Sequence, residues 1–405
     1  MEVHYFIFSL LKSDERPSPR KIEEQLMGNI CRCTGYRPIM DAMKSFAGET
    51  LHDIEDLDDW VRVCPRSVAR EEEEGCGVIV TGGKTWVTPT NLRALMDYVK
   101  DIPDAVKFKL VSGNTGRAVY EDSPNLTTLI DISRVEELKT LSSSPLKVGS
   151  AVSINETVTH FKSILEMEPQ RYQYLKTVTD NLVFLASPAI RDMASLAGNL
   201  MIKHQHPNFP SDIFTMFEAL GAKITVATKF SGGEVQSTEY SLADWMESDM
   251  KRKVILHLTL PRFKEINCKF QFFKVSPRSS FAYAHVNGAF CVEVDEQNKS
   301  IIKKASFVFG GVAGNFIHPT DVESFIIGKD LKNPTVMNQL FDLLESQVVP
   351  DDDPHLTSGQ YRSCLVTSLL YKFLVWCFQG SVDDQKVIWQ LQAESDFLCD
   401  CGLLI

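Results

Sequence analysis

The chain is short of positive charge. Its 405 residues carry 42 Lys and Arg against 53 Asp and Glu, a formal net charge of −11. Nucleic-acid binding draws on a basic footprint, so no nucleic-acid partner is expected. A long apolar run is lacking too. Leu365–Phe378 is interrupted by Lys372 and falls short of the roughly 20 residues that a membrane span needs. It reads instead as a buried amphipathic helix. The apolar stretch Tyr5–Leu11 has neither a basic leader nor a small-residue cleavage site, so no secretory signal is expected. The ten cysteines then read as reduced thiols of an intracellular protein. Motifs of hydrolysis (G-x-S-x-G, H-E-x-x-H, a serine–histidine pattern) are missing, as are internal repeats and low-complexity tracts.

What is present is globular. A hydrophobic fraction of 44 % and a charged fraction of 23 % are ordinary, and the length suits two to three domains. The texture divides the chain into a helical piece at 1–50, an acidic linker at 51–76, an α/β stretch at 77–264, a strand-then-helix stretch at 265–380 and a tail at 381–405. The linker holds five carboxylates within His52–Asp59 and the run Glu71–Glu74, the composition of a solvated connector. In the α/β stretch, Val106–Val111, Leu126–Ile132, Leu146–Gly149, Ile224–Ala227 and Val254–Leu260 read as strands. Ser153 and Glu156 have capping-box spacing, and Ser211-Asp212 opens a helix that Gly221 ends. Farther on, Phe270–Val275, Ala289–Val294 and Ala305–Phe309 read as antiparallel strands, followed by helices at about 334–347 and 358–378.

Several local patterns bear on chemistry. GNICRCTGYRPIM at 28–40 places Cys31 and Cys33 in a short loop between two helix ends; a [2Fe–2S] cluster takes four such thiolates, so this is half a site. The other two would come from another chain or from a spare thiol such as Cys64 or Cys76. Ser112-Gly113-Asn114-Thr115-Gly116 and Ser195-Leu196-Ala197-Gly198-Asn199 are glycine turns about 80 residues apart. Backbone N–H groups in such turns cradle anions, and two of them could clamp a pyrophosphate. GVIVTGGKT at 77–85 misses the phosphate-loop glycine spacing, and Gly75-Cys76-Gly77 has Val80 where a dinucleotide fingerprint needs glycine, so neither is expected to bind nucleotide. His204 and His206 have no nearby carboxylate or cysteine and read as a solvent-facing loop rather than a metal site. Cys399-Asp400-Cys401 repeats the C-x-C spacing without supporting loop residues, so a cluster role is not expected there.

These motifs, in this order, resemble the xanthine dehydrogenase/aldehyde oxidase family of molybdo-flavoenzymes. GNICRCTGYRP is similar to the second half of its [2Fe–2S] domain, LVSGNTGR at 110–117 to its first FAD pyrophosphate segment, SLAGN at 195–199 to its second, and FGGVAGNFIHPTDVE at 309–323 to the domain that closes the flavin module. The resemblance covers residues 20–378. It implies an α+β chain: a small helical iron–sulfur remnant, a PCMH-type FAD-binding domain and a CO-dehydrogenase-flavoprotein-like C-terminal α+β domain. FAD contacts are implied at Leu110, Val111, Ser112, Gly113, Asn114, Thr115, Gly116, Arg117, Leu185, Ser195, Leu196, Ala197, Gly198, Asn199, Asp212, Ile255 and Lys274, with Cys31 and Cys33 as two of four cluster ligands. No catalytic residue can be carried over, because nothing resembles the molybdopterin domain. That cofactor is not expected on this chain, which reads as a truncated member of the family.

The segment VSPRSSFAYAHVNGAF at 275–290 resembles insect-type aldehyde oxidases and lacks the Arg-Arg-Glu-Asp-Asp run of xanthine dehydrogenases, which favours O2 over NAD as acceptor. The expected role is electron transfer from iron–sulfur centres through FAD to that acceptor. A homodimer, or partners supplying the iron–sulfur and molybdenum domains, is left open. Location is expected to be cytoplasmic, with the peroxisome open by family. The competing reading is a non-catalytic remnant acting as a dimerisation or interaction module. A covalent flavin oxidase ranks below both, since no histidine or cysteine has the context for flavin attachment.

Overall fold

The computed structural model describes residues 10, 17–26, 36–45, 47, 75–121, 123–231, 234–263, 268–278, 282–295, 297–298, 301–330, 333–351 and 357–378. Cys31 and Cys33, most of the acidic linker, and the tail with Cys399 and Cys401 lie outside these residues. Near the N-terminus, helices α1 (Pro19–Leu26) and α2 (Tyr36–Lys44) pack together through Ile22, Leu26, Met40 and Met43.

The first sheet has the order β1-β2-β4-β3, with β1 Cys76–Thr81, β2 Lys84–Pro89, β3 Lys107–Val111 and β4 Leu126–Asp131. β1 and β2 form an antiparallel hairpin whose two turn residues, Gly82 and Gly83, both have positive φ (58° and 75°). That is the geometry of a two-residue hairpin turn. The glycines that mimic a phosphate loop in sequence therefore make a strand reversal. β4 runs parallel to both β2 and β3, and α3 (Leu92–Asp101) covers one face with Leu92, Leu95, Met96 and Val99.

The second sheet is antiparallel, in the order β5-β6-β9-β7-β8: β5 Leu141–Ser143, β6 Leu146–Gly149, β7 Lys223–Ser231, β8 Glu234–Ser241 and β9 Val254–Leu260. Between β6 and β7 come α4 (Ile154–Met167), α5 (Tyr174–Leu182), the single turn α6 (Pro188–Arg191), α7 (Leu196–Gln205) and α8 (Asp212–Ala219). The short α9 (Leu242–Met246) follows β8. The capping box at α4 is complete: Glu156 N–H donates to Ser153 Oγ at 3.1 Å, and Ser153 N–H donates to Glu156 Oε2 at 2.8 Å.

A third, antiparallel sheet is built from β10 (Cys268–Val275), β11 (Val286–Val294) and β12 (Ile302–Gly310), with α10 (Thr320–Ile326), α11 (Pro334–Gln347) and α12 (Gly359–Phe378). Side chains alternate faces along a strand. Phe270, Phe272, Ala289, Cys291 and Val308 pack into the core of the preceding helices, while Phe290, Val292, Phe307 and Phe309 pack against α11 and α12. The central strand β11 is thus apolar on both faces, and the sheet is welded to the module before it.

Candidate flavin site

The first glycine segment leaves β3 as Ser112–Asn114 and closes into a 3-10 turn, Thr115–Ala118. Asn114 takes the left-handed conformation at φ 49°, and its Oδ1 accepts from Lys109 Nζ at 3.2 Å. Asparagine tolerates that region better than most side chains. Gly113 is glycine for a different reason: a Cβ there would collide with the backbone carbonyl of Met193. A Cβ on Gly116 would stand 2.8 Å from Ile202 Cδ1 of α7.

Those two contacts join the segments. The second segment is no loop turn, as expected from sequence, but the start of α7. Ser195 is its N-cap and accepts from Gly198 N–H at 3.1 Å; Leu196, Ala197, Gly198 and Asn199 form the first helical turn. The N–H groups of Gly198 and Asn199 donate to Ser195 Oγ and to the Ser195 carbonyl, and the positive end of the helix dipole lies at this terminus. The Tyr120 ring, just past the first segment, stacks on His206 at the end of α7 (centroids 4.0 Å apart, 15° between planes). Histidines 204 and 206 therefore do not form a solvent-facing loop. His204 Nε2 lies 2.9 Å from the Ser248 carbonyl oxygen, and its ring packs at 4.8 Å on Trp245.

From the second segment a polar chain runs to the next module. Ser211 Oγ donates to Asn199 Oδ1 at 2.5 Å and, as N-cap of α8, accepts from Phe214 N–H at 3.0 Å. Asp212, in the first turn of α8, accepts from Lys274 Nζ through Oδ2 and from Asn287 Nδ2 through Oδ1, both at 2.7 Å. The carboxylate and ammonium are 11 % and 18 % exposed, so the pair is drawn out of water yet still reached from one side. Asn287 is fully buried; its Oδ1 accepts from Thr215 Oγ1 at 3.1 Å. A Cβ on Gly310 would strike that Oδ1, which explains the first glycine of the FGGVAGN stretch.

Asp212 and Lys274 line a cavity of about 150 Å³ together with Asn181, Phe184, Phe272 and Ser276. Leu185 and Ile255, expected as FAD contacts, lie outside this lining: Leu185 is partly buried against the core, and Ile255 is buried on β9 opposite Val226. Leu110 also packs inward from β3, Val111 is buried, and Arg117 is exposed. Sequence reasoning missed Asn181, Phe184, Asn287, Phe272 and Ser276. The last two flank Lys274 along or just past β10 and were within reach of its alternation; the others had no local signal.

One buried and one half-buried cation support the frame. Lys203 of α7 is 2 % exposed, donates to the Pro207 carbonyl and lies 5.7 Å from the Phe214 ring centroid. Burial pulls its ammonium down to about 8. His318, in the closing motif, lies between Glu218 of α8 (Nδ1 to Oε1, 3.3 Å) and Glu323 of α10 (Nε2 to Oε1, 2.8 Å). Burial lowers its pKa, but the hydrogen bonds and charges of the two carboxylates outweigh it and raise the imidazole to about 9. The bridge is therefore cationic at neutral pH and pins the closing motif to α8.

The glycine segments thus fit a dinucleotide-like cofactor: the positive end of a helix, a partly open Asp–Lys pair beyond, and one exposed glycine, Gly198, whose missing side chain would meet only Ser195 Oγ, at 3.3 Å. Cys76, a spare thiol offered for the iron–sulfur half-site, is half-buried on β1 against the core under the first sheet, and burial pushes its pKa up; Cys31, Cys33 and Cys64 lie outside the described residues. Among the described residues no group of three or more His, Cys, Asp or Glu is placed to hold a metal, and no helix is long and apolar enough to cross a membrane.

This architecture defines a flavin-binding module with its closing domain. Residues 80–263 match the family described as the FAD binding domain in molybdopterin dehydrogenase, 271–377 the CO dehydrogenase flavoprotein C-terminal domain, and 5–44 a [2Fe-2S] binding domain. In sequence the chain is similar to indole-3-acetaldehyde oxidase of Arabidopsis thaliana (29 % identical, over 87 % of this chain and 28 % of that protein) and to probable aldehyde oxidase 1 of Oryza sativa subsp. japonica (30 %, over 90 % and 28 %). Among solved structures it resembles a chain of quinoline 2-oxidoreductase from Pseudomonas putida 86 (TM-score 0.56, 20 % identity, over 72 % of this chain and 95 % of that one). A second likeness is to carbon monoxide dehydrogenase from Hydrogenophaga pseudoflava (0.56, 14 %, over 73 % and 96 %). At such identities these structures speak for the fold alone. The chain belongs to the xanthine dehydrogenase/aldehyde oxidase family and carries its FAD-binding module and part of its iron–sulfur module. It spans less than a third of the length of the curated relatives it matches.

Proposed function

We propose that this chain binds FAD and serves as the electron-transfer portion of an aldehyde-oxidase-like oxidoreductase. The carrying observation is the meeting of the two glycine segments, Gly113 against Met193 and Gly116 against Ile202, at one end of the polar chain Asn199–Ser211–Asp212–Lys274. Backbone N–H groups of Ser112–Gly116 and of the first turn of α7 would hold the pyrophosphate. Asp212 and Lys274 would face the flavin end, with Asn287 orienting the carboxylate and Phe184 forming a wall. Bound FAD would supply the means to accept and release electrons singly or in pairs, linking iron–sulfur centres to a two-electron acceptor. The missing Arg-Arg-Glu-Asp-Asp run after Lys274 favours O2 as that acceptor over NAD. Cys31 and Cys33 would give a cluster two of its ligands, and the hydroxylation of an aldehyde would require molybdenum and iron–sulfur domains beyond the flavin module.

The test is a visible spectrum of the purified chain after reconstitution with FAD. Oxidised-flavin absorbance that persists through gel filtration supports the reading. A folded, colourless protein sinks it and leaves the non-catalytic interaction module.

A further inference from the structure

Arg191 is buried, at 6 % exposed, and no ion pair reaches it among the described residues. It spends its donors on its own loop. Nη1 donates to the carbonyls of Leu185 (3.1 Å) and Ala186 (2.8 Å), and Nε donates to Asn155 Oδ1 on α4 (3.1 Å). Asn155 returns the connection: its Nδ2 donates to Asp192 Oδ1 at 2.6 Å and to the Pro188 carbonyl at 3.3 Å. Five hydrogen bonds thus tie 185–192 to one side chain of α4 and to itself.

The tied segment includes Ala186 at φ 54°, a backbone conformation that costs an alanine roughly 1–2 kcal/mol and persists only where its surroundings hold it. Immediately before it stands Phe184, 46 % exposed and lining the Asp212–Lys274 cavity. Immediately after the clamp comes Met193, the backbone against which Gly113 is packed. One arginine therefore sets both ends of a loop that touches the cavity at one end and the first glycine segment at the other. Helix α1, of the N-terminal helical piece, packs against α6 on this same loop, and the charge of Glu24 on α1 acts on the guanidinium.

We propose that Arg191 is a positioning residue for the flavin: it holds the Phe184–Ala186 turn as a wall of the ring pocket while fixing Met193 beneath the pyrophosphate segment. The proposal rests on the FAD reading above. A planar guanidinium reaches two carbonyls and an amide at once; an ammonium cannot match that fork, and a neutral amide removes the charge as well.

The experiment compares the wild-type 405-residue chain with Arg191→Gln, Arg191→Lys and Asn155→Ala, each reconstituted with FAD. FAD affinity, the shape of the flavin visible bands and the flavin midpoint potential are measured beside thermal stability. Arg191→Gln is expected to weaken FAD binding about tenfold or more, to change the band shape and to shift the potential. Arg191→Lys is expected to fall in between, and Asn155→Ala to move the same readouts in the same direction by less. Should Arg191→Gln not fold, the other two variants decide. Wild-type affinity, band shape and potential in the folded variants, with only melting temperature lowered, overturn the proposal and leave Arg191 a plain strut. A wild type that takes up no FAD overturns the FAD reading and this proposal together, whereas a flavin-loaded wild type with unaltered variants overturns this proposal alone.

Discussion

The two glycine segments look alike in sequence and work by different physics. Ser112–Gly116 is an irregular loop off a strand, in which the demanding backbone angle falls on Asn114 and both glycines serve close packing against neighbouring chain. Ser195–Asn199 is a capped helix start, in which the serine does the local work and the glycine is crowded by nothing but that serine's hydroxyl. A glycine motif is thus a statement about space, and the space is filled by protein in one case and left open in the other. Substitutions that separate stability from FAD affinity test whether that contrast is real.

The largest effect is expected at Gly113→Ala. The obstacle is backbone, the Met193 carbonyl, on a loop already pinned by Arg191, so neither side can give way cheaply. A loss of about 3 kcal/mol or more in unfolding free energy is expected, with FAD binding lost alongside. Denaturant unfolding of the apo chain measures it. A variant as stable as wild type would show that the two segments do not meet as described.

How far the sequence foretold this contrast depends on the range of the signal. Caps are local: Ser153 with Glu156, and Ser211 before Asp212, could be read at three-residue spacing and stand as expected. Strands β6 and β9 and the helices α11 and α12 were legible because their apolar periods and bounding Gly or Pro agree. The helical nature of Leu196–Gln205 was hidden, since Gly198 and Asn199 are poor helix formers and Ser195 lacks the Glu three residues on that completes a capping box. Asp212 and Lys274 were each named through family resemblance, but nothing local reports that they pair across 62 residues of chain. Asn287 escaped altogether, because what makes it a site residue is the notch left by Gly310 on the neighbouring strand and the carboxylate from another module. Nothing within a few positions of Asn287 reports either.

A smaller effect is expected at Ser195→Ala. This removes the side-chain acceptor for Gly198 N–H and costs about 1 kcal/mol, the usual worth of an N-cap. Thermal unfolding should show a modest drop in midpoint without loss of the fold. Threonine, which keeps the acceptor, should recover most of it. An alanine variant with an unchanged midpoint would mean that the hydroxyl is not spent on the cap.

The smallest stability effect, and the sharpest comparison, belongs to Gly198→Ala. Alanine is the better helix former, and its methyl would meet only Ser195 Oγ at 3.3 Å, so gain and crowding nearly offset and stability should stay within about 0.5 kcal/mol of wild type. If the open face is where a pyrophosphate lies against the first turn of α7, the methyl group occupies that approach, and FAD affinity should fall about tenfold in a protein that unfolds like wild type. Gly113→Ala would lose binding because it loses structure; Gly198→Ala would lose binding while keeping it. Titration of both apo variants with FAD, beside their unfolding curves, separates the two behaviours. Full FAD affinity in Gly198→Ala would place the phosphates away from this helix start and leave the second segment a capped helix with no part in holding the cofactor.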